Sequence, residues 1–138
     1  MRLDVVNDFA SIELVNDTFN EFAATHAVPD DTRRTFNIAF DDLINNIVSY
    51  GYQDDDEHRI WVDIALNGAF VEATISDDGT PFDPFAVAAP DLDDELDERR
   101  IGGLGIHLVR TMMDDVKYER RDDRNVVVIR KNLVQDTA

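Results

Sequence analysis

The stretch FNIAFDDLINNIVSYGY, Phe36 to Tyr52, decides how the rest of the chain is read. Phe36, Phe40, Leu43, Ile44 and Ile47 recur at helical spacing, so one stripe of this helix must face a core. At ~100° per residue, Asp42 and Asn46 sit one above the other on a shoulder of that stripe, and Tyr50 continues the row. A carboxylate and a carboxamide at the margin of a core are costly to bury unless something uses them. Alone, the pair reads as a solvated shoulder; two glycine-bearing loops further along reverse that reading.

Working outward from this helix, Val28-Pro29-Asp30-Asp31-Thr32 breaks the chain before it and supplies caps, and Gly51 ends it. Upstream, Phe9 to His26 is also helical, with Ile12, Val15, Phe19 and Phe22 on one face and Asp8 or Ser11 as its cap. His26 suits the C-terminal end of that helix and has no catalytic role. Met1 to Val6 alternates weakly, as a short edge strand.

Downstream, Gln53 to Glu57 is an acidic loop. Ile60, Val62, Ile64 and Leu66 alternate with Arg59, Trp61, Asp63 and Ala65, the pattern of a half-buried strand. Trp61 reads as packing on the sheet face. Asn67-Gly68 predicts a type I′ hairpin turn, and Val71, Ala73 and Ile75 alternate on the return strand. That strand runs into Ser76-Asp77-Asp78-Gly79-Thr80-Pro81-Phe82-Asp83-Pro84, where Gly and two Pro force an irregular turn. Pro84 to Arg100 carries two Pro and six acids between Asp91 and Glu98, and reads as a mobile loop with a helical turn at most. Ile101-Gly102-Gly103-Leu104-Gly105 then opens into a helix, Ile106 to about Asp115, with a core face of Leu108, Val109, Met112 and Met113. Val116 to Arg120 and Asn125 to Ile129 form a last hairpin around Asp122-Asp123-Arg124. Hairpins dominate and no strand–helix–strand crossover repeats. The expected fold is α+β: a two-layer sandwich, a mixed but mostly antiparallel sheet with three helices on one face, residues 1–138 forming one domain.

Composition narrows the function. A net charge of −17 over 138 residues opposes binding to nucleic acid or an anionic membrane face. It reads as solubility or high-salt adaptation, with a basic partner surface as the alternative. The absence of Cys excludes thiol chemistry and Cys-ligated zinc, and fits a cytoplasmic address. No apolar run is long enough to span a bilayer, and the N-terminus lacks a signal-peptide pattern.

Gly103-x-Gly105 before a helix can present backbone N–H groups to an anion, although such a turn alone is a weak signal. Neither a dinucleotide fingerprint nor a P-loop fits, for want of a parallel βαβ unit and of a following Lys-Ser/Thr. Asp77-x-Gly79 at a strand end can accept a hydrogen bond from an exocyclic amine, or simply form an Asx turn. The weight lies in the ordered set: Asp42-x-x-x-Asn46 on a helix, a hairpin, Asp77-x-Gly79, a lid-like loop, and Gly103-x-Gly105 opening a helix.

That set resembles the GHKL (Bergerat-fold) ATPase superfamily, and within it the small RsbW-like anti-sigma-factor serine/threonine kinases. The resemblance spans about Ser11 to Lys131. It rests further on Asn46-x-x-x-Tyr50-Gly51-Tyr52, Asp78-Gly79-x-Pro81-Phe82-Asp83-Pro84, Gly102-Gly103-Leu104-Gly105-Ile106-x-Leu108-Val109 and Met113-Asp114-x-Val116-x-Tyr118. It implies that Asn46 ligates Mg²⁺ through its side-chain oxygen, a hard donor for a hard ion. It implies that Asp77 reads the adenine amine beside Gly79, that Gly103 and Gly105 lie along the phosphates, and that Pro84 to Arg100 is the ATP lid. Tyr50, Phe82, Ile101, Gly102, Leu104 and Ile106 belong to the same implied ATP site.

The resemblance also implies an activity: transfer of the ATP γ-phosphate to a serine of a STAS-domain anti-anti-sigma antagonist. A sigma factor would be the alternative partner, and the protein a homodimer. The catalytic base is implied at Asp42, where the family has Glu, so the arm is one methylene shorter. Pro81 replaces the last glycine of the wider superfamily's Asp-x-Gly-x-Gly pattern, which stiffens the turn. Arg99 and Arg100 are candidates to meet a γ-phosphate or a partner's carboxylate. The alternative function is an ATP-sensing module that sequesters its partner with little or no transfer.

Overall fold

A computed structural model describes residues 1–52, 54, 56–86 and 108–133. Its elements are β1 (Arg2–Val6), α1 (Ala10–Thr25), α2 (Asp30–Tyr50), β2 (Arg59–Leu66), β3 (Phe70–Asp77), a 3₁₀ turn (Pro84–Ala86), a helical segment α3 (108–112), β4 (Asp115–Arg121) and β5 (Arg124–Asn132). The sheet order is β1-β2-β3-β5-β4. Every described strand pair is antiparallel, so the mixed sheet expected from sequence is here purely antiparallel.

Alternation makes the sheet one-sided. Val5, Ile60, Val62, Ile64, Val71, Ala73, Ile75, Val127 and Ile129 are buried, while Arg59, Trp61 and Asp63 turn to the other face. Trp61 packs there under the Arg124 guanidinium, 3.8 Å from its ring centre. The helices close the buried side. Phe36, Ala39, Phe40, Leu43 and Ile44 of α2 meet Val15, Phe19 and Ala23 of α1 over the sheet. Phe19 is the hub, with ring centres 5.4 Å from Phe36 and 5.3 Å from Phe40. Fully burying each such side chain contributes about 1.5–3 kcal/mol. On the outer side of the helix pair, Asn37 donates to Asn16 and Asn20, and Asn16 donates to Asp41 at 2.8 Å.

The helix ends follow simple chemistry. Phe9 holds the N-cap position of α1 without a side-chain cap; Asp8 Oδ1, one residue earlier, accepts the Ala10 N–H at 2.8 Å, and Ser11 is buried within the first turn. Asp30 and Asp31 occupy the first turn of α2, where negative charge suits the helix dipole. No side chain caps its N-terminus.

The first hairpin departs from its expected turn. Strands β2 and β3 pair Leu66 with Val71, and the Asn67 N–H bonds the Phe70 carbonyl, so the two-residue loop is Gly68-Ala69. No glycine there has positive φ, which excludes the type I′ turn predicted for Asn67-Gly68. Asn67 instead accepts the N–H groups of Ala69 and Phe70 through its side chain. The turn with two positive φ angles joins β4 to β5, at Asp122 (52°) and Asp123 (63°). Aspartate tolerates this region, but glycine occupies it without a Cβ clash. Asp123→Gly should therefore raise stability by about 0.5 kcal/mol, relief of strain outweighing the added chain entropy. A urea midpoint that does not rise would show that the turn carries no strain.

Candidate functional site

The C-terminal end of α2 and the loop after β3 are built against each other. The Gly51 carbonyl accepts the Thr80 N–H at 2.8 Å. A side chain on Gly79 would lie 2.5 Å from that same oxygen, and one on Gly51 would lie 2.6 Å from the Ile47 carbonyl oxygen. Gly51 has φ −75°, so both glycines serve close backbone approach rather than a left-handed turn. This gives Gly79 a reason independent of any ligand.

Beneath this junction lies a pocket lined by Leu43, Asn46, Ile47, Tyr50 and Gly51 of the α2 end, Ile75 and Asp77 of β3, Thr80, Phe82 and Pro84 of the loop, and Asn125 and Val127 of β5. It is apolar for most of its wall, with three buried polar side chains converging on it: Asn46, Asp77 and Asn125, at 9%, 4% and 5% exposure. Tyr50 and Phe82 stand exposed at its mouth. An apolar slot with a few fixed polar groups is the usual form of a small-molecule site.

Each polar group has a defined state. One Asp77 oxygen, Oδ1, accepts the Gly79 N–H at 2.9 Å and the Asn125 amide at 3.1 Å. Its other oxygen takes no hydrogen bond among the described residues. Burial raises the Asp77 pKa, and the bonds from Asn125 and Gly79 and the charge of Arg120 oppose that rise. The Asn46 carboxamide makes no hydrogen bond among the described residues, although it is buried. A buried polar group left without a partner costs ~1–3 kcal/mol, unless a ligand supplies one.

Asp42 lies one turn before Asn46 on α2, half-buried and outside the lining of this pocket. Burial, and then the charge of Asp41, raise its pKa from 3.8 to about 6. Asp41 points elsewhere, exposed and bound by Asn16. Asp42 is thus a carboxylate that is ionised at neutral pH and holds a proton more strongly than an ordinary one.

The sequence signals for Asn46, Tyr50, Asp77 and Phe82 converge on one pocket. Ile101, Gly102, Gly103, Leu104, Gly105 and Ile106 lie outside the described residues, as do Arg99, Arg100, His107 and the lid beyond Ala86. The described start of that loop is the Pro84–Ala86 turn, in which Asp83 accepts the Phe85 N–H at 2.9 Å.

Asn125 was not among the sequence candidates, yet it organises the loop. Its NH₂ donates to Asp77 and to the Thr80 carbonyl (2.9 Å), and its Oδ1 accepts from the Phe82 N–H (3.1 Å) and the Tyr118 hydroxyl (2.6 Å). Arg120 adds a bond to the Gly79 carbonyl at 2.8 Å. On the opposite side, the Tyr52 hydroxyl donates to Asp78 at 2.8 Å while its ring stacks on His58, 3.9 Å away. His58 in turn contacts Asp54 at 2.7 Å, which raises the imidazole pKa.

Among known proteins, the histidine kinase-like ATPase domain matches residues 5–131. The chain is 32% identical over 93 residues to the serine/threonine-protein kinase BtrW of Bordetella bronchiseptica, covering 67% of this chain and 66% of that protein. It is 31% identical over 108 residues to the serine-protein kinase RsbW of Listeria monocytogenes, covering 73% and 69% respectively. RsbW of Oceanobacillus iheyensis is 30% identical over 93 residues, covering 61% and 56%. The chain spans about two thirds of the length of the first two curated relatives.

Proposed function

The chain belongs to the histidine kinase-like ATPase family, among the RsbW-like anti-sigma serine kinases, and on that premise we propose that it binds Mg-ATP and phosphorylates a serine of a STAS-domain anti-anti-sigma antagonist. The observation that carries this reading is the coincidence, on one helix and one facing strand end, of three differently prepared groups: an Asp77 oxygen and a buried Asn46 carboxamide that take no hydrogen bond among the described residues, and a half-buried Asp42 whose pKa is raised to about 6.

Asp77 holds the adenine amine, and the apolar wall of Leu43, Ile47, Ile75 and Val127 takes the flat ring. Tyr50 and Phe82 flank the nucleotide at the mouth; the phosphate-binding role that the resemblance implies for Gly103 and Gly105 belongs to the same proposal. Asn46 would hold Mg²⁺ by its carboxamide oxygen. Phosphate oxygens of the nucleotide would complete the ligand set of so hard an ion. The ion would neutralise charge on the phosphates. Asp42 takes the proton of the substrate serine as the phosphoryl group moves. The domain is residues 1–138 and acts in the cytoplasm, as a homodimer that binds either a sigma factor or the antagonist. No described helix is long and apolar enough to cross a membrane.

One observation favours a second reading, a partner-sequestering ATP sensor with little transfer: the base at position 42 is Asp, and a short arm displaces it from its target. Incubation with Mg²⁺ and γ-labelled ATP, alone and with each STAS-domain protein of the same genome, separates them. Label should appear on a serine of one STAS protein. Nucleotide binding with no label transferred would select the sequestering reading, and absence of nucleotide binding would overturn both.

A further inference from the structure

The sheet face turned away from the helices has an uncharged centre and a charged surround. At the centre, Trp61 of β2, Thr74 and Ser76 of β3, and Val126 and Val128 of β5 are neighbours across the ladder: Trp61 pairs with Ser76, Ser76 with Val126, and Thr74 with Val128. The charges around them come, among the described residues, in opposite pairs. Arg2 meets Asp63 at 2.7 Å, Arg59 meets Asp4 at 3.3 Å and Arg130 meets Glu72 at 2.8 Å. On the edge strand β4, Lys117 lies beside Asp115 and Arg121 beside Glu119. Arg124 covers the Trp61 ring. This face is therefore close to neutral in a chain whose net charge is −17, and the acid excess lies on the remaining surface.

We infer that a second copy of this chain packs on this face, the two sheets lying back to back about a twofold axis. This specifies the surface of the homodimer in the proposed function and does not depend on the ATP site. Two chains of charge −17 repel wherever their acidic surfaces approach. The paired face is where they meet without that repulsion, because each ion pair is closed within its own copy. A basic partner gains nothing from a neutral surface and is drawn to the acidic remainder. An apolar centre with a tryptophan, inside a polar rim, is the usual anatomy of an interface. The size suits a dimer as well. Five strands at ~4.8 Å spacing, about seven residues long, present a face of roughly 600 Å² in plan, and side-chain relief brings this near the ~800 Å² per partner of a stable interface. The nucleotide pocket lies on the helix side of the sheet, so both pockets stay open in such a dimer.

Sedimentation velocity on the full chain over a range of concentrations tests this. The wild type should dimerise, and added salt should tighten the dimer by screening the net charge. Val128→Glu sets a carboxylate across from Lys117, where the single chain tolerates it, and at the centre of the paired sheets, where it is stripped of water. It should weaken the dimer by about 100-fold or more. Trp61→Ser removes the central ring without adding a charge, should weaken the dimer about tenfold, and serves if Val128→Glu does not fold. Mg-ADP affinity, read by calorimetry on the same samples, should stay within about twofold of wild type in both. Leu14→Glu, on the exposed side of α1, should leave the dimer intact. A wild type that stays monomeric, a dimer that survives both sheet variants, or one that salt or Leu14→Glu dissolves overturns the inference. A wild type that dimerises through this face and binds no nucleotide would instead overturn the ATP reading and leave this interface standing.

Discussion

Asp77→Asn should abolish nucleotide binding while leaving the fold intact. The substitution keeps the shape of the side chain and changes which edges accept. Asp77 Oδ1 already receives two N–H groups, from Gly79 and Asn125, so the carbonyl of an introduced carboxamide must stay there. Its NH₂ then faces the pocket and meets the amine of the base donor to donor. Turning the amide round moves the same conflict inward, where the Gly79 and Asn125 N–H groups would lose their acceptor. Either way a buried bond is lost and a polar group is stranded. The combined cost is on the order of 3–4 kcal/mol, or ~10²–10³-fold in affinity. Calorimetry with Mg-ADP reads the affinity, and a melt of the nucleotide-free protein controls for folding. Burial raises the Asp77 pKa and so disfavours its charged form, which means that the neutral Asn should cost the empty protein little. Affinity within a few-fold of wild type would remove Asp77 from the adenine edge.

The layer arrangement was legible because it depends on parity and period. Ile60, Val62 and Ile64, then Val71, Ala73 and Ile75, alternate along their strands, and Phe36, Phe40, Leu43 and Ile44 repeat along α2; all of these are buried. The turns were less legible. Asn67-Gly68 and Asp122-Asp123 both contain residues that tolerate positive φ, but tolerance does not fix where a turn centres. Register does, and it shows in which residues end up paired beside each loop, here Leu66 with Val71 and Arg121 with Arg124. That pairing places Asn67 just before its loop, where its side chain is useful and its backbone is ordinary.

Asp77 was legible as the last inward position of an alternating strand that leads into a glycine turn. Asn125 was not, because its meaning depends on β3 lying beside β5, a pairing between segments 48 residues apart. One local signal was present. Asn125 shares parity with Val127 and Ile129, so it is a carboxamide at an inward position, and such a group requires partners. The partner is the residue directly across the ladder, since Asp77 pairs with Asn125 in register. Helical spacing alone put Asn46 and Asp42 on one shoulder; the depth that separates them, one buried and one half-buried, comes from the sheet beneath.

Asp42→Asn should keep nucleotide binding and lose phosphoryl transfer. Asp42 lies outside the lining of the pocket, so the affinity for Mg-ADP should stay within about twofold of wild type. As the proton acceptor for a serine hydroxyl it contributes ~10²–10⁴-fold in rate. Transfer by the wild type should then show an acid limb with a midpoint near pH 6, because burial and Asp41 raise the Asp42 pKa from 3.8 to about 6 and only the ionised form accepts a proton. Stability runs the other way. The folded protein binds this proton more tightly than the unfolded chain, so the stability contribution of Asp42 falls as pH rises from about 4 to about 6. Above that window the charge is a net cost, which Asp42→Asn removes. The full shift corresponds to ~3 kcal/mol, but solvent reaches half of the side chain and screening reduces the gain to about 1 kcal/mol. One substitution should therefore raise the melting temperature at pH 7.5 and abolish transfer, a combination expected of a strained catalytic group and not of a structural one. Asp42→Glu completes the test. If the short arm limits the reaction, one added methylene should speed transfer by up to ~10²-fold. Transfer by Asp42→Asn at the wild-type rate, with the acid limb intact, would assign the proton to another group.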